Sequence, residues 1–471
     1  MIWPGKRVIL LEFSVLAVIS AFVMFSGLDR GSLADWDEAL YGEISKETLL
    51  TGDWVTPHFK GFPYLAAKPP FFFHLVSLTY GIFGISTFTS RFWTAIFGFG
   101  TVLVVFLLGL EMFNDKIAFM ASMILVSCPH FLEESRKLML DVPLTFFIAS
   151  SFYFLVSSRR NGSLRPLSGL MIGLATMIKA PLGVLALAVM CVYMGRIKGF
   201  NRSTLKEYLT VFLAFAIVVF PWHLVQLAVN TDLFLGRYIY HYTVERMVIP
   251  IEGHDHGNIY LLNVLWHGLG NWGVFCVAGV GYVLLCGRWR QPETLLTVAW
   301  GAVFLAVFLA ARTKIPWLLI PIYPPLAILA AILLERLVFK ELWVGILVFA
   351  AVFFLSFEVP GPFNCNGPLY ELNQVSGGNV RVHNSVSTSP ANVFYLGIER
   401  FPKDDLTEED ALYVSTSSAY SNLAGYDVHY SGGGYVLFSK KDKGFPDGES
   451  EGMNLPASEC YTYWPNRLGR S

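Results

Sequence analysis

The composition of this 471-residue chain is that of a membrane protein. Hydrophobic residues make up 54% of it and charged residues 15%, with a mean hydropathy of +0.52. A soluble globular domain carries about 25% charged residues. The formal net charge is −1, so the chain has no bulk positive field that would point to nucleic acid.

Eleven apolar runs approach the length of about 20 residues that a helix needs to cross a hydrocarbon core. The run at 8–27 follows two basic residues, is long for a signal sequence and has no convincing small-residue cleavage site, so we predict a retained first helix. Some runs are short enough to form re-entrant pairs, and we expect about 11 to 13 transmembrane helices. The predicted spans are 8–27, 89–110, 116–132, 142–158, 164–178, 181–195, 208–226, 259–286, 294–311, 316–335 and 341–358.

Basic residues fall on alternate connections between these spans and predict the topology. Cytoplasmic loops carry an excess of Lys and Arg, which places the N-terminus in the cytoplasm. The loops at 28–88, 133–141, 227–258 and 312–315, and the chain after Phe357, are then periplasmic. The basic residues are Lys6, Arg7, Arg159, Arg160, Arg196, Lys198, Arg202, Arg288, Arg290, Arg336 and Lys340.

The first outer loop, 28–88, is long enough to hold structure of its own. An apolar residue or threonine at every fourth position predicts an amphipathic helix over 36–50 that lies on the membrane and ends at Gly52. Pro69 and Pro70 open a second apolar helix at 71–83. Its thirteen residues are too few to span, so it is predicted to be interfacial or re-entrant.

The residue composition changes after the last predicted span, which indicates separate domains. Residues 1–358 form the predicted transmembrane domain, 359–442 a small soluble α/β domain and 443–471 a polar tail. Short alternating segments predict strands at 380–382, 392–396, 411–414 and 435–438. Cys365 and Cys460 flank the soluble domain in an oxidising compartment, where a disulfide between them remains an open alternative to free thiols.

Ionisable residues gather on the predicted outer face, where they are candidates for function. Cations there suit a phosphate leaving group, and a carboxylate suits a general base or an acceptor-orienting group. The set comprises Asp37, Glu38, Lys68, Asp141, Lys179, His241, Glu245, Arg246, His254, His256, Arg312 and Lys314.

Each of these residues also has a structural alternative. Asp37 and Glu38 are acidic residues suited to a helix first turn, and Lys68 is placed to extend towards lipid headgroups. Asp141 occupies a good N-cap position. Lys179, Arg312 and Lys314 resemble interface anchors, whereas His254 and His256 share one side, as metal ligands must, only if that segment is extended.

Several segments together resemble the GT-C glycosyltransferases. Their likeness is to the bacterial branch that contains the lipid A aminoarabinose transferase and the relatives of protein O-mannosyltransferases. It runs in order from about residue 8 to residue 335, and the soluble outer domain fits the aminoarabinose branch. The segments are 37–44, 52–58, 68–70, 83–84 with 90–91, 138–144, 177–183, and 313–316 with Pro321.

The resemblance implies the GT-C fold and an inverting transfer of a sugar from a polyprenyl-phosphate donor, such as undecaprenyl phosphate, in a bacterial inner membrane. Catalytic roles then fall to Asp37, Glu38 and Asp141. Donor-phosphate contacts fall to Lys68, Arg246 and Lys314. Candidate substrate or metal contacts are Tyr41, Lys179, His241, His254 and His256.

Two departures from the family pattern matter. Ala67 stands where the family often has a glutamate that contributes to a metal site, so the resemblance implies no certain cofactor, and a divalent metal is less expected here. The aromatic residue that the family pattern has after the segment 314–316 is displaced here, with Trp317 and Leu318 in that neighbourhood. We therefore expect the phosphate contacts there to differ from those of the family.

The sequence leaves the sugar, the acceptor and the oligomeric state open. We expect lipid A or another envelope glycan or lipid as acceptor. A protein O-mannosyltransferase-like enzyme acting on Ser or Thr hydroxyls is the alternative within the family. A transporter or flippase for a lipid-linked sugar is less favoured, because no internal repeat is evident and the charges gather at one face. A non-catalytic assembly or receptor protein whose outer domain binds a partner is a third, less favoured class.

Overall fold

The structure, a computed structural model, describes most of the first 338 residues and parts of the remainder. The described residues are 4–34, 36–66, 68–199, 201–250, 254–338, 349–355, 381–383, 394–395, 400–401, 413–416, 426–432 and 435–440. Ala67, the cysteines Cys365 and Cys460, and the tail 443–471 lie outside the described residues. The disulfide and the tail therefore stay predictions.

The helices of the described part follow the predicted spans in chain order. A π-helix, Phe234–Glu245, lies between α11 and α12. The α-helices are α1 (Pro4–Phe25), α2 (Asp37–Thr51), α3 (Phe71–Phe83), α4 (Thr87–Met112), α5 (Asp115–Val126), α6 (Pro129–Glu134), α7 (Asp141–Ser157), α8 (Arg165–Thr176), α9 (Ala180–Lys198), α10 (Arg202–Val229), α11 (Thr231–Leu233), α12 (Arg246–Val248), α13 (Asn258–Leu269), α14 (Gly273–Leu285), α15 (Pro292–Ala310) and α16 (Tyr323–Val338).

Seven helical stretches in the described part are long and apolar enough to cross a membrane, so the chain is a multi-pass membrane protein. Two shorter apolar helices, α3 and α7, accompany them. The predicted spans at 116–132 and 164–178 contain helices of only 12 residues, α5 and α8. The seven stretches are Arg7–Phe25, Thr87–Met112, Ala180–Lys198, Arg202–Val229, Asn258–Leu285, Pro292–Ala310 and Pro316–Leu337.

Three predicted spans are interrupted rather than continuous, each for a local reason. Pro129 begins α6, because proline is tolerated at a helix start and breaks a helix interior. Gly270, with φ +57°, takes the left-handed conformation between α13 and the short 3₁₀ turn before α14. Residues Pro316–Ile322 form a 3₁₀-helix that leads into α16, and Pro321 within it has no N–H to donate.

Glycine allows the closest helix contacts in the bundle. A Cβ atom on Gly109 of α4 would lie 2.7 Å from the Cα atom of Ala118 of α5. On Gly169 of α8 it would overlap the carbonyl oxygen of Val211 of α10. Close backbone approach at small residues is the usual basis of helix packing in lipid, where van der Waals contact replaces the hydrophobic effect.

Charged residues separate the bundle into two ends. At the basic end, Arg159 pairs with Glu293 at 2.6 Å and Lys198 pairs with Glu207 at 2.7 Å. These contacts join the chain just after α7 to the first turn of α15, and the last turn of α9 to the second turn of α10. The opposite end, the loop end, carries α2 and α3. That the loop end faces the periplasm stays a prediction.

Helix α2 is buried along most of its length, unlike the predicted helix with one face on the membrane. Ten of its 15 residues are buried, because α3 packs on one side and the following loop folds over it. The Glu47 carboxylate accepts backbone N–H groups of Lys60 and Gly61 at 2.6 and 3.0 Å. This pairing holds the β1–β2 hairpin (His58–Phe59 and Phe62–Pro63) against the helix.

The C-terminal part contains a five-stranded mixed sheet of order β4-β3-β5-β7-β6. Strand β3 pairs in parallel with β4 and β5, and β7 pairs antiparallel with β5 and β6. Strands occur near three of the four predicted segments, whereas Phe394 and Tyr395 are helical where 392–396 was predicted to be a strand. The strands are β3 (Arg381–His383), β4 (Arg400–Phe401), β5 (Tyr413–Thr416), β6 (Tyr426–Gly432) and β7 (Tyr435–Lys440).

Candidate active site

The start of α2 sets the directions of the two acidic side chains. Trp36, directly before the helix, has φ +65° and ψ −117°, a conformation that non-glycine residues rarely adopt. Asp37 and Glu38 follow in the first turn. Successive residues of an α-helix are turned by about 100° from each other. The Asp37 side chain is 21% exposed and the Glu38 side chain 1% exposed, so the two carboxylates have different surroundings.

The Glu38 carboxylate is saturated by partners inside the protein. Its Oε1 atom accepts from Arg91 Nε at 2.7 Å and from the backbone N–H of Leu138 at 2.9 Å. Its Oε2 atom accepts from the backbone N–H of Ala34 at 2.7 Å and from Arg91 Nη2 at 3.1 Å. The Glu38 network therefore ties together the start of the first loop, α4 and the second loop.

Asp37 faces a lysine and a tyrosine instead. Lys68 Nζ lies 3.5 Å from Asp37 Oδ1 and 4.6 Å from the centre of the Tyr41 ring. Pro69 and Pro70 follow Lys68 and lead into α3, which fixes the lysine over the first turns of α2. At 3.5 Å this ion pair is long, so the lysine has hydrogen-bonding capacity left for another anion.

A second carboxylate–lysine pair lies beside the first. Lys179, between α8 and α9, donates to both oxygens of Asp141 at 2.8 and 3.0 Å. Its charge and that of Arg246 also act on Asp37. The structure thus brings together five of the predicted site residues, which are two carboxylates, two lysines and a tyrosine. We call Asp37, Tyr41, Lys68, Asp141 and Lys179 the Asp37 cluster.

The cluster keeps Asp37 ionised. Burial raises the pKa of Asp37, but the charges of Lys68 and Lys179 and a hydrogen bond from Tyr41 outweigh it, so the pKa lies below its ordinary value of 3.8. Burial and the neighbouring Asp37 charge raise the pKa of Tyr41 well above its ordinary value. The tyrosine therefore remains a hydrogen-bond donor to the carboxylate at neutral pH.

Comparison with known proteins adds an independent observation. Residues 67–224 match the family model of dolichyl-phosphate-mannose-protein mannosyltransferase. The undecaprenyl phosphate-alpha-4-amino-4-deoxy-L-arabinose arabinosyl transferase of Serratia proteamaculans is 30% identical over 334 residues, which cover 67% of this chain and 58% of that protein. A second such transferase, from Proteus mirabilis, is 27% identical with the same two coverages. The chain thus spans less than two-thirds of the length of these relatives.

Solved structures show the fold. The crystal structure of ArnT from Cupriavidus metallidurans bound to undecaprenyl phosphate superimposes with a TM-score of 0.72 at 17% identity, covering 93% of this chain and 98% of that one. The oligosaccharyltransferase of Archaeoglobus fulgidus superimposes with a TM-score of 0.61 at 13% identity, covering 93% and 75%. The chain therefore shares the fold of these two proteins.

Other predicted site residues lie apart from the Asp37 cluster in their described contacts. Lys314 Nζ donates to the carbonyl oxygens of Phe308 and Leu309 at 2.9 and 2.8 Å, where it caps the end of α15. The donor-phosphate role of Lys314 stays a prediction, and these contacts favour a structural role.

The histidines are dispersed. His241 lies on the π-helix and pairs with Glu245 at 2.6 Å. The His254 ring packs against Trp317 at 6.4 Å, and the His256 ring lies 4.1 Å from that of Tyr260. Within the described ranges, no three His, Cys, Asp or Glu residues are grouped closely enough to hold a metal ion. The metal and substrate roles of these histidines stay predictions.

Two residues that the sequence reasoning left out belong to the surroundings of the site. Arg91 was noted within a motif, but nothing in the sequence pairs it with Glu38, which lies 53 positions earlier. Trp36 was assigned to the apolar face of the helix, although it is 72% exposed and strained. A backbone conformation of this kind leaves no trace in residue types, whereas a buried arginine at a helix start is a signal that could have been weighed.

Proposed function

We propose that this protein is an integral-membrane glycosyltransferase that moves a sugar from a polyprenyl-phosphate donor to an acceptor at the periplasmic face, with inversion. The Asp37 cluster is the observation that carries this proposal. It places two lysines and an ionised carboxylate together at one end of a membrane-embedded bundle. The arabinosyl transferase relatives and the ArnT structure with undecaprenyl phosphate support the same chemistry.

In the proposed reaction, Lys68 and Lys179, with Arg246 nearby, stabilise the donor phosphate. The bond from the anomeric carbon to the phosphate oxygen breaks, and polyprenyl phosphate leaves with the electron pair. The acceptor oxygen forms the new bond from the opposite face of the sugar. Charge that develops on the leaving phosphate is stabilised best by cations already in place, as the two lysines are.

The role of Asp37 follows from its ionisation. A carboxylate with a lowered pKa orients an acceptor or balances the positive charge that develops on the sugar, and it is a weak proton acceptor. When a donor phosphate engages Lys68, the charge that lowers the Asp37 pKa is partly neutralised, and Asp37 becomes a stronger base. A hydroxyl acceptor would give its proton to Asp37, whereas a phosphate acceptor of lipid A needs no base.

We further propose that Glu38 positions the site and does not touch substrate. Both of its oxygens already accept two hydrogen bonds each from Arg91 and the backbone. An ion pair so buried and so fully bonded has no capacity left for a reacting group. Asp141 lines the cluster and holds Lys179 in place through its bidentate contact.

The acceptor that we propose is lipid A or another envelope lipid or glycan. Mass spectrometry of the lipid A fraction and of total envelope glycans, from cells with and without the protein, tests this. We expect a sugar mass to disappear from lipid A in its absence and to return with the wild-type chain. Asp37→Asn should not restore it, whereas the exposed-site control Asp232→Asn should.

Two other outcomes are informative. If a hexose is lost from protein or glycan while lipid A is unchanged, the acceptor is a hydroxyl and Asp37 is the general base. An unchanged envelope, together with movement of a labelled lipid-linked sugar across vesicles of purified protein, overturns the transferase and supports a transporter.

A further inference from the structure

Two residues of the C-terminal part are buried against the first loop. Phe394 and Tyr395 are only 8% and 6% exposed. The Tyr395 hydroxyl oxygen accepts the backbone N–H of Leu33 at 2.7 Å. Lys46 Nζ donates to the backbone carbonyl oxygen of Phe394 at 3.2 Å. One short segment of the C-terminal part therefore contacts the chain both before and after the start of α2.

The Phe394 ring rests on a glycine of α2. A Cβ atom on Gly42 would lie 2.9 Å from Phe394 Cε2, a distance that real Cβ atoms essentially never show. Lys46 Nζ also lies 5.7 Å from the centre of the same ring, on its face. The absence of a side chain at Gly42 is thus what allows the ring to reach the helix backbone.

These contacts bracket Asp37 and Tyr41 of the Asp37 cluster in sequence. Leu33 lies four residues before Asp37, Gly42 follows Tyr41 directly, and Lys46 is one turn further along α2. The Glu38 network ties the same helix end to α4 and to the second loop. The first turns of α2 are therefore held by both the helical bundle and the C-terminal part.

We propose that Phe394 and Tyr395 are positioning residues for sugar transfer, which hold α2 so that Asp37 and Tyr41 meet Lys68 in the productive arrangement. This inference rests on the proposed function and extends it, because it assigns the C-terminal part a role in the chemical step. A carboxylate displaced by about 1 Å can cost a factor of 10² in rate. The effect should therefore appear in kcat, and the KM for the lipid donor should change little.

The test uses the full-length protein in lipid vesicles and two readouts. Tyr395→Phe removes one oxygen atom and leaves Leu33 N–H without that acceptor. We expect amide exchange over 33–46 to accelerate and kcat to fall about three- to tenfold, at unchanged donor KM. Tyr240→Phe, the same chemical change at an exposed tyrosine of the π-helix, should alter neither readout.

A double-mutant cycle tests the Phe394–Gly42 contact itself. Gly42→Ala should force the ring away, and Phe394→Ala should remove it, each with a lower kcat. If the two changes act through one contact, the double variant is no worse than Phe394→Ala alone. Losses that simply add would overturn the contact as the cause. If the Phe394→Ala protein does not accumulate in cells, the amide exchange and kcat of Tyr395→Phe alone test the positioning role.

Amide exchange over 33–46 and kcat together distinguish a failure of this inference from a failure of the proposed function. A wild-type protein that transfers no sugar defeats the proposed function, and the exchange measurement still shows whether Tyr395 holds α2. Faster exchange in Tyr395→Phe at full kcat overturns the positioning role. Unchanged exchange over 33–46 overturns this hold on α2 itself.

Discussion

The Glu38 network and the Asp37 cluster are neighbouring regions of one helix end with opposite arrangements. Glu38 has short hydrogen bonds to every oxygen lone pair and almost no exposure, whereas Asp37 has one lysine at 3.5 Å and remains one-fifth exposed. The first arrangement suits a fixed support, and the second suits a group that exchanges partners when a ligand arrives. Adjacent acidic residues in a sequence therefore need not share a role.

The largest expected effect follows from changing the open carboxylate. Asp37→Asn keeps the size of the side chain but removes the charge that faces Lys68 and Tyr41. We expect sugar transfer to fall by about 10²–10⁴ with little change in melting temperature. Measured turnover in vesicles checks the first effect and thermal unfolding in detergent the second. A variant with wild-type turnover would remove Asp37 from the mechanism.

Glu38→Gln should lower stability more, and turnover less, than Asp37→Asn does. It leaves the buried guanidinium of Arg91 without a counter-charge, and breaking one partner of a buried pair costs about 3–5 kcal/mol. We expect a lower melting temperature and, among molecules that stay folded, a smaller loss of turnover than in Asp37→Asn. If Glu38→Gln stayed as stable as wild type yet lost all turnover, the positioning role would be wrong.

The same pair predicts a pH dependence. Burial raises the pKa of Glu38, but Arg91 and the backbone N–H groups outweigh it and hold the pKa below its ordinary 4.5. The stability that Glu38 provides is thus present above pH 4.5 and is lost as the pH falls through the lower folded value. Acid unfolding of wild type and Glu38→Gln should therefore converge towards low pH, and a constant gap between them would contradict the linkage.

Variants of Lys68 and Lys314 extend the comparison to donor binding. Lys68→Met should raise the donor KM by about 10- to 100-fold, because it removes a charge-assisted contact to phosphate. Lys314→Met should leave the donor KM nearly unchanged and cost about 1 kcal/mol of stability, because it removes a cation from the end of α15. Equal effects of both variants on the donor KM would return Lys314 to the phosphate site.

The smallest expected effect concerns Trp36, whose backbone conformation sets the directions of the Asp37 and Glu38 side chains. Glycine adopts positive φ without strain, so Trp36→Gly should be more stable than Trp36→Ala by about 1 kcal/mol. Thermal unfolding of the two variants measures the difference, and both lack the indole, so its contacts cancel. An alanine variant as stable as the glycine variant would show that the backbone relaxes in solution.

Sequence reasoning named the residues that the structure brings together in the Asp37 cluster, but it did not distinguish the surroundings of Asp37 from those of Glu38. Lys68, Asp141 and Lys179 were identified because each stands one or two residues before a proline in a motif at the predicted outer face, and the structure brings them to Asp37. Glu38 was grouped with Asp37, because adjacency in sequence hides the turn of the helix that separates their side chains. Lys314 was assigned by motif, whereas its local contacts to the end of α15 depend on backbone geometry.

The fold was predictable where it depends on hydrophobic length and less so where it depends on tertiary contacts. The long spans follow directly from apolar runs. The predicted surface helix at 36–50 is buried instead, because α3, the β1–β2 hairpin and Phe394 cover it. A helix whose polar residues find partners inside the protein, as Glu47 does with two backbone N–H groups, looks identical in sequence to one whose polar residues face water.

The Glu38 network also imposes an order on biogenesis. The carboxylate emerges from the ribosome 53 residues before Arg91 and 100 residues before Leu138, its most distant partner. At about 5–20 residues per second, it waits on the order of 5–20 seconds for the last of them. Until Arg91 emerges, the carboxylate has only the nearby N–H of Ala34 among its final partners. A slowed translation rate would lengthen the time before the Glu38 network is complete.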